Sequence, residues 1–176
     1  VVRVGQPYQF CARRDAREDR IDVGGEVALG RDDVPGAARH GGGAFSWRQA
    51  VPAMQQGFLP NVISTDLHAD SMNGGMKDLC NVLSKFLNMG MTLQDAVARS
   101  TWAPANVIKR PELGHLSVGS EADVTVLNLR KGDFGFMDIR GTKLKGTQKV
   151  EAELTIRAGK IVWDLNAISA PMWDAK

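Results

Sequence analysis

The run Phe58-Leu-Pro-Asn-Val-Ile-Ser-Thr-Asp66-Leu-His68 constrains this chain more than any other stretch. Val62, Ile63 and Thr65 are β-branched, and the apolar residues from Leu59 to Thr65 do not alternate strictly, which suits a strand covered on both faces. Strands of that kind build parallel α/β sheets, where the C-terminal rim is the place at which chemistry is done. This one ends on an acid. A carboxylate at that rim can hold a divalent metal and serve as general base toward water. It can equally cap the loop beyond the strand, because turns favour Asp.

The chain has three histidines. His68 lies two residues past Asp66, on the same side of an extended chain, where it contacts substrate or satisfies a loop carbonyl. His40 precedes Gly41-Gly42-Gly43; glycine lets a backbone approach closely, as around a metal ligand with substrate beside it, and it also makes a flexible loop. His115, in Glu112-Leu-Gly-His115-Leu, reads as a surface or structural residue of a turn.

A net charge of +2 on 176 residues gives no reason to expect nucleic acid or a membrane surface as partner. The basic run Arg140-Gly-Thr-Lys143-Leu-Lys145-Gly-Thr-Gln-Lys149 contains no aromatic residue and reads as a solvated loop. Cys11 and Cys80 fit no metal or redox spacing, so they are expected as free thiols in a reducing, cytoplasmic compartment. No apolar stretch approaches the ~20 residues of a membrane span. The start, Val1-Val-Arg-Val-Gly-Gln-Pro, has no basic segment followed by an apolar core, as a secretory signal would.

Composition divides the chain. No lysine occurs before Lys77, and the stretch from Ala12 to Arg39 is rich in Arg, Asp, Gly and Ala without a period of two or of 3.6. It reads as a solvated, irregular segment, or as the product of a shifted reading frame of GC-rich coding sequence. From Gly41 onward patterns emerge. Ser46 to Gly57 reads as a helix with Ser46 as cap and Gly57 as stop. Met76 to Met89 reads as an amphipathic helix with Leu79, Val82, Leu83, Phe86 and Leu87 on one stripe. Thr92 caps a further helix that turns Ala96 and Val97 inward, and Ala103 to Ile108 forms a short one. Asp123 to Leu129 is a strand, and Glu151–Arg157 with Lys160–Trp163 is a hairpin about Ala158-Gly159.

Four segments carry a resemblance. Gly114-His-Leu-Ser-Val-Gly-Ser-Glu-Ala-Asp123-Val-Thr-Val-Leu resembles the G-x-L-x-x-G-x-x-A-D-x-x-x-L motif of the amidohydrolase superfamily, and Thr101-Trp-Ala-Pro104-Ala105 resembles the segment just upstream of it. Ile63-Ser-Thr-Asp66-Leu-His68 is similar to the end of the eighth barrel strand, with its catalytic aspartate. His40-Gly-Gly-Gly-Ala-Phe-Ser46 is similar to the sixth-strand element of the deacetylase, or dihydroorotase-like, subgroup, whose histidine binds metal. That element has glycine where this chain has Arg39, and serine where it has Ala44.

The resemblance implies an α/β fold: the last strands and helices of a (β/α)8 TIM barrel, followed by a small C-terminal β-sandwich portion. It divides the chain into an unassigned irregular segment over 1–37, the C-terminal part of the barrel over 38–112, and the C-terminal share of the sandwich over 113–176. It implies a zinc-dependent hydrolase of carbon–nitrogen bonds other than peptide bonds, deacetylase-like, acting on a small-molecule amide. One or two zinc ions acidify a water to a pKa of about 7 and polarise the carbonyl. Asp66 then takes the proton and passes it to the leaving nitrogen, His40 and Asp66 hold metal, and His68, Gly42 and Gly43 contact substrate.

The family's His-x-His pair is missing, and so is any lysine upstream of His40. A whole barrel takes ~250 residues. His40 and Asp66 alone would hold zinc weakly, since zinc sites generally use about three protein ligands or more. The chain is therefore expected to be a piece of an amidohydrolase with little or no activity of its own. An exposed Leu79–Leu87 stripe and open barrel edges are expected to promote self-association. The alternative is a non-catalytic barrel remnant serving as a binding or assembly module.

Overall fold

The computed structural model describes residues 20–22, 28–30, 37–39, 45–65, 67 and 75–175. In chain order these are β1 (Arg20–Asp22), β2 (Ala28–Gly30), β3 (Ala37–Arg39), α1 (Trp47–Gln55), β4 (Val62–Ser64), α2 (Leu79–Asn88), α3 (Leu93–Ser100), α4 (Trp102–Val107), a 3-10 turn at Pro111–Leu113, β5 (Val124–Met137), β6 (Lys143–Arg157) and β7 (Lys160–Asp164). Two pairs and one larger sheet result: β1 with β2 antiparallel, β3 with β4 parallel, and β5-β6-β7 antiparallel in sequence order. The stretch expected to be irregular thus contains the short β1–β2 pairing and β3.

β4 is shorter than the Leu59–Thr65 run. Pro60 has no N–H to give to a ladder, so pairing starts beyond it. Ile63 is buried while Val62 and Ser64 are half-buried, and α2, α3 and α4 all lie against the strand. α2 starts at Leu79 because the Asp78 carboxylate accepts from the Asn81 amide at 2.7 Å. α3 begins as its sequence indicates: Thr92 Oγ1 accepts from the Asp95 amide at 3.1 Å and donates to the Asp95 carboxylate at 2.9 Å.

Ser46 stands at the N-cap position of α1 but its hydroxyl makes no capping bond. The first-turn amide of Trp47 instead donates to Asp138 Oδ2 at 3.1 Å, from the far side of the sequence. The cap came from the tertiary fold, and a carboxylate at a helix N-terminus also suits the helix dipole.

Two further sequence-based expectations fail. β5 and β6 run for 14 and 15 residues, so most of the Arg140–Lys149 run is strand, not loop. Lys143 and Lys145 point to solvent while Leu144 between them packs against the core, which is the two-residue period of a half-covered strand. The α2 stripe is not exposed either. Val82, Leu83, Phe86 and Leu87 are all buried, with Phe45, Trp47, Phe136 and Val150 in the same core and α2 laid across β6. Polar groups lock that crossing. Ser84 Oγ accepts from the Val150 amide at 2.9 Å, Asn88 Nδ2 donates to the Gln148 carbonyl at 2.7 Å, and Asn88 Oδ1 accepts from the Thr147 amide at 2.8 Å.

Candidate functional site

The parallel pairing of β3 and β4 has the register Ala37↔Val62, Ala38↔Ile63 and Arg39↔Ser64. Both strands therefore end level with one another, and as directly paired neighbours with one helix, α1, between them they are consecutive strands, not a sixth and an eighth with another strand between. In sequence, His40 follows the last residue of β3, and Asp66 follows Ser64 by two positions. The sequence-predicted site residues His40, Gly42, Gly43, Asp66 and His68 themselves lie outside the described residues. Around them, Leu67 N donates to Thr65 Oγ1 at 3.3 Å and Leu67 packs on the core, so both sequence neighbours of position 66 are held. Arg99 of α3 donates to the Pro60 carbonyl, fixing the approach to β4.

Past Leu67 the described chain resumes at Gly75, and there a group of residues converges that the sequence did not single out. Lys85 of α2 is fully buried. Its Nζ donates to the carbonyls of Gly75 and Met137, both at 2.7 Å, and sits 5.3 Å from the Phe45 ring centroid and 5.8 Å from that of Trp47. Burial pushes the ammonium down to about 7, against an upward pull from Asp138 and with a further downward push from Lys77. Burial pushes the Asp138 carboxyl up, but the N–H groups of Trp47, Thr142 and Arg140 and the Thr142 hydroxyl outweigh it and hold the acid below its ordinary value. A lysine beside Phe86, within the apolar stripe of α2, was the trace of this arrangement in the sequence.

Cys80 is a free thiol. Burial, assisted by Asp78, pushes it up to about 11, so it is an unreactive neutral group near pH 7. His115 is structural, as expected: its Nδ1 accepts from the Ser117 amide at 3.2 Å and lies 3.0 Å from Ser120 Oγ. Among the described residues no three His, Cys, Asp or Glu side chains converge to hold a metal ion, so these residues by themselves do not fit one. No helix among them is long and apolar enough to cross a membrane.

The motif segments do physical work in the fold. A Cβ at Gly114 would come within 2.9 Å of Ala105 Cβ and of Trp102 Cα, so the glycine is what lets the tail motif lie against α4 and its Pro104-Ala105 segment. Asp123 is buried and accepts from the Ala158 amide at 2.8 Å, while the Gly159 amide donates to the Ala122 carbonyl at 3.0 Å. The Ala-Asp dipeptide thereby holds the β6–β7 turn, where Ala158 and Gly159 both take positive φ.

These motifs find their counterpart among known proteins: residues 46–162 match the amidohydrolase family. The chain belongs to that family. It is 41% identical over 102 residues to a deacetylase of Brucella anthropi and, at the same identity and length, to one of Agrobacterium fabrum. Each alignment covers 58% of this chain and 25% of the relative, so the matched part of this chain corresponds to about a quarter of those proteins. A dihydroorotase crystal structure superposes with a TM-score of 0.67 at 34% identity, over 73% of this chain and 34% of that one. An adenine deaminase superposes with a TM-score of 0.68 at 26% identity, over 73% and 35%. The mixed helix and strand architecture is thus that of part of an amidohydrolase barrel enzyme, a family that generally uses metal ions.

Proposed function

We propose that this chain is the C-terminal part of a zinc-dependent, deacetylase-like amidohydrolase, and that by itself it has little or no activity. In this reading residues 38–112 are the last barrel units and residues 113–176 are a share of the β-sandwich. The observation that carries it is the level, parallel ending of β3 and β4, which brings the stretches leading to His40 and Asp66 side by side. Likeness to two deacetylases supports the hydrolysis of an N-acyl amide.

Asp66 is then the base. It takes a proton as the water oxygen bonds to the amide carbon, and returns it to the nitrogen as the C–N bond breaks. His68, Gly42 and Gly43 face the substrate. A zinc ion, when bound, supplies the Lewis acidity that makes water acidic near neutral pH. His40 and Asp66 are two holders, too few for a tight site. The setting is cytoplasmic, and self-association runs through open strand edges.

Zinc per chain after dialysis, measured beside turnover of N-acetyl amino acids, tests this. The expectation is substoichiometric zinc and negligible turnover. A protein extended upstream to include a His-x-His pair gains both, and loses turnover in Asp66→Asn. Tight stoichiometric zinc with turnover in the present chain overturns the incompleteness, and an active Asp66→Asn variant of the extended protein overturns the role of the acid. A second reading, a non-catalytic binding or assembly module, draws on the buried core that α1, α2, β5 and β6 close among themselves; a stable, inactive extended protein favours it.

A further inference from the structure

Large apolar residues crowd the last strand and the tail. Ile161, Val162 and Trp163 of β7 and Ile168, Met172 and Trp173 beyond it are between 51% and 93% exposed. The patch is held in shape. Trp163 Nε1 donates to the Ala152 carbonyl at 3.1 Å, which fixes the indole on the outside of the sheet. The tail is tied back to β7, where the Asp164 carboxylate accepts from the amides of Ile168 and Ser169, both at 2.9 Å, and from the Ser169 hydroxyl at 2.6 Å. At about 200 Å² for a large residue, these six leave on the order of 750 Å² uncovered, above the roughly 300–600 Å² of the largest patch on a typical monomer and close to the ~800 Å² that each partner gives to a standard interface. Opposite charges bracket the apolar strand, since Lys160 opens it and Asp164 closes it. The Ser169 hydroxyl and amide, with the amides of Ile168 and Asn166, keep the Asp164 carboxyl below its ordinary range, so it is charged at neutral pH.

We propose that this face is the interface between two copies of the chain, packed across a two-fold axis with their β7 strands antiparallel. In that arrangement Lys160 of each copy meets Asp164 of the other, whereas parallel strands would set like charges against each other. The same patch serves both copies, so the dimer closes. The adhesion comes from side chains more than from a continued sheet. β7 carries a bulge, with Thr155 opposite Trp163 and Ile156 opposite Ile161, and a bulge at an edge limits further ladder hydrogen bonds. A net charge of +2 per chain opposes such pairing little. The self-association proposed above is thereby given a surface, and it is the one part of that reading on which this interface rests.

Sedimentation velocity of the full chain across a concentration series tests this, with tryptophan emission read alongside. A monomer–dimer equilibrium is expected, with emission moving to shorter wavelength as Trp163 and Trp173 leave water. Trp102→Phe, exposed elsewhere on the surface, is expected to keep both the dimer and the shift. Ile161→Lys combined with Val162→Lys is expected to abolish the dimer. Lys160→Glu sets acid against acid at both ends and is expected to weaken dimerisation about tenfold, while Lys160→Arg keeps it. A dimer that survives the Ile161→Lys and Val162→Lys pair, or that is indifferent to Lys160→Glu, overturns this interface and leaves self-association standing. So does dimerisation without a shift in emission. Monomer at every concentration overturns both the interface and self-association. Open-ended aggregates in place of a dimer overturn the two-fold closure. Should the double variant fail to fold, Lys160→Glu and Lys160→Arg decide. Neither zinc nor turnover is measured, so the hydrolase reading stands or falls separately.

Discussion

The C-terminal sheet has two unlike ends. Under α2, Phe136 and Val150 are 2% and 1% exposed; on β7, Ile161, Val162 and Trp163 are 51%, 58% and 52% exposed. The same three strands are sealed at one end by a helix and bare at the other. The apolar stripe of α2, which on sequence grounds is an adhesive surface, is satisfied within the chain. Exposed apolar side chains gather on the β7 edge and the tail beyond it, including Ile168, Met172 and Trp173, with others such as Trp102 and Val118 elsewhere. The exposed apolar side chains of this sheet thus lie on β7 and the tail, while α2 on β6 belongs to the core.

Changes at the sealed end should have the largest effect. Phe86 is 4% exposed and meets Phe45 edge-on at 6.2 Å between centroids. Phe86→Ala is expected to cost ~3–5 kcal/mol, seen as a large drop in the denaturant midpoint. Gly75→Ala puts a methyl onto main-chain atoms of Met137 and Asp138 that cannot swing aside. A loss of ~1–3 kcal/mol is expected, and an unchanged melting temperature would show that the two chains separate easily.

A pH effect of middling size arises at the same place. Lys85 is lowered to about 7 from 10.5, so above pH 7 the folded chain has released a proton that the unfolded chain still binds. Stability therefore rises with pH beyond that point, by up to ~2 kcal/mol toward pH 9. Cys80, raised from 9.0 to about 11, opposes further gain above pH 9, because only the unfolded thiol then ionises. Chemical denaturation at a series of pH values reads both, and Lys85→Met flattens the rise. The smallest stability effect belongs to the bare end. Replacing Ile161 and Val162 with lysine should change stability by no more than ~0.5 kcal/mol each. It should lower self-association in sedimentation at high concentration, and unaltered association would move the sticky surface elsewhere.

Much of the local structure was legible from residue types. Thr92 and Asp95 announced a capped helix, the 79–87 spacing announced a helix with one apolar face, and Ala158-Gly159 announced a tight hairpin; each is a short-range preference that the surroundings did not override. The length of β5 and β6 was not legible. Arg130-Lys-Gly-Asp133 and Lys143 to Lys149 look like loop because their charges face water on a sheet covered on one side only. The candidate site was legible only as an order of motifs: the register of β3 against β4 is a tertiary fact, and His40, Gly42, Gly43, Asp66 and His68 fall outside the described residues.

By itself, then, the sequence determined the family, the helix cap of α3 and the turn chemistry, because motifs and short-range hydrogen bonds act over a few residues. Only the tertiary structure decided what covers α2, that a carboxylate 91 positions away caps α1, and that Lys85 is buried between two carbonyls. Those outcomes depend on which distant surfaces meet, and the free energy of desolvating a charge is set by that meeting rather than by the residue's neighbours in the chain.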